Sequence, residues 1–276
     1  MPDRKTLVRR LLLAAYVVAA FLFFLLLLFP FDRLKSRIES EVRLRTPFTL
    51  SISRISPRFF STILFSDVVL SNKENKILLE SPAVHTSVSI FGLLHGLVAL
   101  DSKATVYGGD LLVKTQHGPG RQYVSVDANN LDIGSFALLK NAGVKVSGKL
   151  GGNFEMTGDA GKGRIWIKGM ASRDLKIKGI SIPDLDFDQC WLEAELKGDR
   201  LTIKKLEFEG KEVKIRATGD ILLRERGTIN LIVKLKLSER MAQEQAWITA
   251  LIKNKDAEGY LMFTLGGTLA EPLPRL

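Results

Sequence analysis

Thr228-Ile229-Asn230-Leu231-Ile232-Val233-Lys234-Leu235-Lys236-Leu237 decides the fold class of this chain. Ile229, Leu231, Val233, Leu235 and Leu237 recur every second residue, while Thr228, Asn230, Ile232, Lys234 and Lys236 face the other way. A period of two puts one set on each side of a pleated strand, here one apolar side and one mostly polar side. That is the pattern of an antiparallel strand with one face turned to a core or an apolar partner.

Working outward, the same period returns in Phe48/Leu50/Ile52, from Phe59 to Leu70, in Ala104/Val106 and in Leu111/Val113, with Gly, Asn, Asp or Pro at the boundaries. Val146-Ser147-Gly148-Lys149-Leu150, Ala217-Thr218-Gly219-Asp220-Ile221 and Thr264-Leu265-Gly266-Gly267-Thr268-Leu269 each set glycine inside such a strand. Their spacing is too uneven for a solenoid of fixed period. Three interruptions read as helical. They are Gly134 to Asn141, the short turn Ile90 to Gly96, and Ser238 to Asn254, where Ser238 caps and Met241, Trp247, Ile248, Leu251 and Ile252 form a stripe.

Toward the N-terminus the pattern changes. Leu11 to Phe29 carries no charge over nineteen residues and Pro30 closes it, which matches the length needed to cross a hydrocarbon core of roughly 30 Å. Its Leu, Phe and Val content makes insertion favourable by on the order of 6 kcal/mol. The run exceeds a signal-peptide core, and Phe29-Pro30-Phe31-Asp32 lacks the small residues of a cleavage site, so an uncleaved anchor is expected. Basic residues flank both sides (Arg4, Lys5, Arg9, Arg10; Arg33, Lys35, Arg37, Arg43, Arg45). Charge bias therefore does not decide orientation, and the expectation is a cytoplasmic N-terminus with the long domain translocated. Leu34, Ile38 and Val42 then recur every four residues, a short amphipathic helix ended by Pro47.

The chain has 276 residues, 40 Lys+Arg against 30 Asp+Glu and a net charge of +10. The basic residues are scattered through alternating strands without a recognition-helix or zinc-finger spacing, so no nucleic-acid partner is expected. A solvated strand face near an anionic membrane accounts for them. The single cysteine, Cys190, excludes an internal disulfide. It alternates in register with Leu192, Ala194 and Leu196 against Trp191, Glu193 and Glu195, as a buried core thiol would.

Catalytic and metal-binding patterns do not emerge. His85, His95 and His117 lie far apart, His85 in a strand pattern and His117 in a glycine turn. There is no G-x-S-x-G elbow, and Gly158-Asp159-Ala160-Gly161-Lys162-Gly163 reads as a hairpin turn, without the Ser/Thr of a phosphate loop. Asp184, Asp186 and Asp188, with Glu195 at position twelve, imitate a calcium loop, but Gln189 stands where the sharp turn requires glycine. No catalytic, cofactor-binding or metal-binding residue is assigned, and no cofactor is expected.

The basic tail, the span ending Phe29-Pro30-Phe31-Asp32-Arg33-Leu34, then Pro47-Phe48-Thr49-Leu50, Ile182-Pro183-Asp184-Leu185-Asp186-Phe187, Gly198-Asp199-Arg200-Leu201-Thr202-Ile203-Lys204-Lys205-Leu206 and Gly266-Gly267-Thr268-Leu269-Ala270-Glu271-Pro272 together resemble the type II secretion system protein N (GspN) family, in the form found in delta-proteobacteria. Ser89 to Gly96 and the closing Gly-Thr-Leu-Ala-x-Pro also look like AsmA-type envelope proteins, whose sheets curl around an apolar groove. The resemblance implies a non-catalytic accessory component of the type II secretion machine, single-pass in the bacterial inner membrane with a periplasmic domain. Its partners would be other inner-membrane or secretin components. The alternative is an AsmA-like protein that shields or transfers lipid acyl chains in a β groove, with membrane lipids as partners.

The expected organisation is a basic tail over residues 1–10, an anchor over 11–31, a juxtamembrane amphipathic helix over 32–46, a first β region over 47–132 and a second over 133–276 with a helix near 238–254. The fold class is mainly β: one N-terminal transmembrane helix, then an elongated, curved antiparallel sheet with a few short helices. The two functional readings differ in one surface. An adaptor buries Ile229, Leu231, Val233, Leu235 and Leu237 in its own core and binds partners by an exposed strand edge. A lipid groove leaves a continuous apolar trough open.

Overall fold

The alternation at Thr228–Leu237 is one strand of a single fourteen-stranded antiparallel sheet. The computed structural model describes residues 13, 16–17, 20, 24, 28–58, 61–141, 143–174, 176–177, 180–181, 183–224, 227–269 and 271–275. The strands are β1 (Phe48–Pro57), β2 (Thr62–Asn72), β3 (Ile77–Val88), β4 (Val98–Val106), β5 (Gly109–Gly118), β6 (Arg121–Asp132), β7 (Lys145–Thr157) and β8 (Ala160–Arg173). There follow β9 (Lys176–Ile177), β10 (Ile180–Ser181), β11 (Leu185–Lys197), β12 (Arg200–Gly210), β13 (Val213–Leu222), β14 (Thr228–Leu237), β15 (Leu261–Gly267) and β16 (Pro272–Arg275). Sequence order is sheet order, except that β9 and β10 pair only with each other and β8 pairs directly with β11. The sheet runs unbroken across the expected boundary at 132/133, because β6 pairs with β7.

A meander of this kind buries little of itself. The accessible surface is 18933 Å², well above the roughly 12,000 Å² of a compact monomer of this mass. The two ends of the strands carry different connections. One, here the upper end, carries the β1–β2, β3–β4, β5–β6, β7–β8, β11–β12, β13–β14 and β15–β16 connections, and the lower end carries the rest.

Helix α1 (Phe31–Arg45) matches the expected amphipathic segment and stops at Thr46, before Pro47. It packs on β1, the first edge of the sheet. Glu39 Oε1 accepts the Ile52 N–H at 2.8 Å, and Lys35 Nζ donates to the Ser53 carbonyl at 3.3 Å. Side chains thus satisfy edge groups that would otherwise invite another strand. At the other edge, β16 holds Pro272 and Pro274, which have no N–H to offer.

Three expected helical segments exist in altered form. Ser89 caps α2 (Ile90–Leu94), and a 3-10 turn (Ile133–Ser135) precedes α3 (Ala137–Asn141). The single helix expected over 238–254 is two: α4 (Glu239–Glu244), capped by Ser238, and α5 (Ala246–Leu251). Gln245, at φ −114 and ψ 42, leaves the helical region and turns the chain between them. The stripe is split accordingly, with Met241 and Ile252 buried while Trp247 and Leu251 are exposed. His117 lies on β5 opposite Gln122, two residues before the glycine turn rather than in it.

The anchor expected over 11–31 and the tail over 1–10 fall largely outside the described residues. Within the expected anchor, Leu13, Tyr16, Val17, Ala20, Phe24 and Leu28 are described, each with helical backbone. Among the described residues no helix is long and apolar enough to cross a membrane.

Candidate functional site: the apolar face of the sheet

Residues directly opposite in antiparallel strands point to the same face, so the register can be followed from strand to strand. Ile55, Phe65, Val84, Ala104, Leu111 and Ala128 lie opposite one another from β1 to β6. The row continues through Gly152, Ile165, Leu192, Leu206, Ala217, Val233 and Phe263 to β15. It crosses thirteen strands without a polar side chain, and at about 4.8 Å per strand it runs roughly 58 Å. A parallel row nearer the lower end joins Leu131, Leu150, Ile167, Cys190, Phe208 and Ile215, then Leu235 and Leu261.

Two bulges keep these rows on one side. Ala128 and Leu131 are three residues apart yet share a cluster, because Asn130 takes a positive φ of 58 where the β6–β7 register shifts. Ile203 and Leu206 likewise share a face, with Lys204 and Lys205 both turned to the other side at the β11–β12 shift. An inserted residue at a bulge restores the face that strict alternation would lose.

Cover over this face is uneven. Beneath the lower end of β11–β14, Met241 of α4 is 3% exposed and closes a cluster with Phe187, Cys190 and Val213. The Cys190 thiol lies 3.5 Å from Met170 Sδ and burial pushes its pKa up to about 11. Phe136 and Ile133 sit beside the β3–β7 region. In β11–β15, Ile203, Ile229 and Leu231 are buried, and the neighbours that bury them, Leu192, Leu206, Val233 and Leu265 among them, belong to the same face of the same sheet. In the middle, Phe154 is half-buried and Ile165 is 40% exposed. The only other sheet among the described residues is the β9–β10 hairpin.

The β1–β6 part of the face contains hydroxyls. Thr86 Oγ1 and Ser102 Oγ are 2.9 Å apart, and Ser81 Oγ donates at 3.0 Å to the Thr105 carbonyl. Each is thereby satisfied within the layer, which removes the cost of burying it.

The opposite face is charged. Arg164 and Glu193 pair at 3.1 Å, Lys204 and Glu195 at 3.1 Å, Lys205 and Glu207 at 2.9 Å and Lys214 and Glu209 at 2.9 Å. Exposed pairs of this sort contribute little stability but keep the face solvated. The Glu209 hydrogen bond raises the Lys214 pKa. Lys234, through a 2.9 Å hydrogen bond, holds the Asp256 carboxyl below its usual range. Trp166 and Trp191 stack here at 5.9 Å, and Gly151 leaves the room beneath them, since a Cβ there would meet the Trp166 ring at 2.6 Å. A hollow of about 340 Å³ lies between Lys204, Arg216, Lys234 and Glu258, but its cations already have carboxylate partners.

The residues weighed in the sequence do not converge. Asp184 and Asp186 are engaged by Arg173, at 3.8 and 2.5 Å. His95 Nδ1 meets the Phe91 carbonyl at 2.8 Å at the end of α2, while His85 lies on β3 opposite Lys103. Among the described residues no group of three or more His, Cys, Asp or Glu is placed to hold a metal ion. The residues the sequence reading missed are Ile165 and Phe154, while Leu192 was read only as core beside Cys190. Each belongs to a short alternating run, and only the strand register aligns those runs into rows. Comparison of the chain with family models, with curated proteins and with solved structures finds no match.

Proposed function

We propose that this chain is a membrane-anchored, non-catalytic envelope protein whose curved sheet shelters lipid acyl chains along its apolar face. The observation that carries the reading is the row from Ile55 to Phe263, apolar across thirteen strands and only half covered at its middle. Ile229 and Leu231 are buried by side chains of their own face, which supports a sheet whose apolar side is the concave one and forms the trough. The apolar segment 11–29 serves as the anchor, with the N-terminus in the cytoplasm and the sheet in the periplasm. Cytoplasmic labelling of residues in the 238–254 region would refute that orientation.

Lipid extracted from the full chain purified in mild detergent tests the function. Wild type carries phospholipid at about one or more molecules per chain, and Ile165→Asp loses most of it. Because Ile165 is already 40% exposed, the carboxylate blocks the trough without unfolding the sheet. Equal lipid in both proteins, or none in either, refutes the reading.

The order of sequence motifs supports a second reading, an accessory component of the type II secretion machine. Strand addition is the weaker mechanism for it, since α1 occupies the β1 edge and prolines interrupt β16. The charged face then offers the adaptor surface. Crosslinks from Lys204 or Lys214 to secretin or inner-membrane secretion components, with no lipid at Ile165, would favour this reading over the first.

A further inference from the structure

The β3–β4 connection turns its apolar side chains out. Ile90 is 51% exposed, Phe91 79%, Leu93 50% and Leu94 76%, an apolar knob on a helix that buries nothing. Its backbone is nevertheless well tied. Ser89 Oγ accepts the Gly92 N–H at 3.1 Å, and the Gly92 carbonyl accepts the Leu97 N–H at 2.8 Å. Gly92 has no room for a side chain, as a Cβ would meet the Leu97 carbonyl at 2.9 Å. The exposure is therefore held in place and does not come from a frayed loop.

The position of the knob indicates what covers it. Val88, where the connection begins, donates to the Ser61 carbonyl at 2.7 Å, beside the β1–β2 connection at the upper end. Helix α1 runs antiparallel to β1, since Glu39 meets Ile52 while Thr46 meets Phe48. Phe31 lies eight residues, about 12 Å, beyond Glu39, so α1 starts at that same upper end. The apolar segment before Pro30 thus joins the sheet on the side where Ile90–Leu94 protrudes. Exposed Arg33 and Arg58 belong to the same end, and cations suit anionic headgroups.

We propose that Ile90–Leu94 dips into the interfacial layer of the bilayer that holds the N-terminal segment, giving the sheet a second, monotopic contact with the lipid. Large apolar side chains set above basic residues are the composition of interfacial insertion. The proposal rests on the anchor reading, and the test separates the two.

Environment-sensitive fluorophores are placed through Leu94→Cys, Phe24→Cys and, at the lower end, Asn75→Cys in the full chain. Cys190 stays unlabelled because it is buried and its thiol pKa is raised. The protein is reconstituted into phosphatidylethanolamine/phosphatidylglycerol vesicles containing a brominated lipid. Quenching of at least twofold at Leu94 and Phe24, with none at Asn75, is the expected result. Quenching at Phe24 alone overturns the loop contact and leaves the anchor standing. Quenching at neither position overturns the anchor reading and the loop contact with it. In a Phe91→Ser/Leu94→Ser background, thermal stability is unchanged and a label at Val98 loses most of its quenching; undiminished quenching there would overturn the role of these side chains.

Discussion

The β3–β4 and β14–β15 connections begin alike and end differently. Each opens with a serine whose hydroxyl accepts a backbone N–H three residues on, from Gly92 at 3.1 Å and from Met241 at 3.2 Å. Each continues into a short helix: α2, apolar throughout, and α4, whose one large apolar residue is Met241. At the lower end α4 folds back under the sheet and Met241 completes a cluster with Phe187, Cys190 and Val213, whereas at the upper end α2 points away and buries nothing. Apolar content alone does not say whether a helix is covered, since the more apolar of the two is the exposed one. Both helices follow their strand after a single serine, and the connections differ in what holds that serine: the Ser238 N–H donates to the Glu212 carbonyl at 2.8 Å, on the β12–β13 connection, and the Ser89 N–H to the Ala99 carbonyl at 3.0 Å, on β4.

Met241→Ala separates the two connections most strongly. Removing a fully buried side chain from the cluster costs about 2–5 kcal/mol, read as a lower urea midpoint, while Phe91→Ser at the other connection stays within about 0.5 kcal/mol. Similar losses at both sites would mean that α2 is packed after all. The two caps provide a finer version. Ser238→Ala removes the bond to Met241 N–H and lowers global stability by about 1 kcal/mol, and Ser89→Ala speeds amide exchange only around Gly92.

Cys190 reports on the same cluster through pH. Its folded thiol resists ionisation up to about 11, against 9.0 for an unburied one, so ionisation favours the unfolded chain between those values. The thiol's contribution to stability is full below pH 9 and is lost as pH rises toward 11. The urea midpoint falls across that window in wild type and falls less in Cys190→Ala. Maleimide at pH 8 should leave the folded protein unlabelled and label the unfolded one. The smallest effect is at the edge of the sheet. Glu39→Ala frees the Ile52 N–H that its carboxylate accepts at 2.8 Å, at a cost of about 1 kcal/mol and with faster exchange of that amide.

Period-two runs, turn glycines and the α1 periodicity were legible in the sequence, because each depends on residues within a few positions of one another. The apolar face was legible one strand at a time, as at Ile229–Leu237. Its continuity was not, because it depends on register between strands and on bulges at Asn130 and Lys204 that upset strict alternation. The break at Gln245 also escaped the helical pattern, since Ala246 to Leu251 resumes helical backbone immediately after it. Asp184 and Asp186 looked available until Arg173, ten or more residues away, was placed against them.

Ile165 and Ile232 set up the most direct test of the trough. They are 40% and 50% exposed, closely matched, but Ile165 stands in the apolar row and Ile232 on the charged side, opposite Thr218. A photoreactive amino acid at each position, irradiated in cells, reads which face meets lipid. An apolar trough gives phospholipid adducts at Ile165 and none at Ile232; lipid at neither position, or equally at both, rules the trough out.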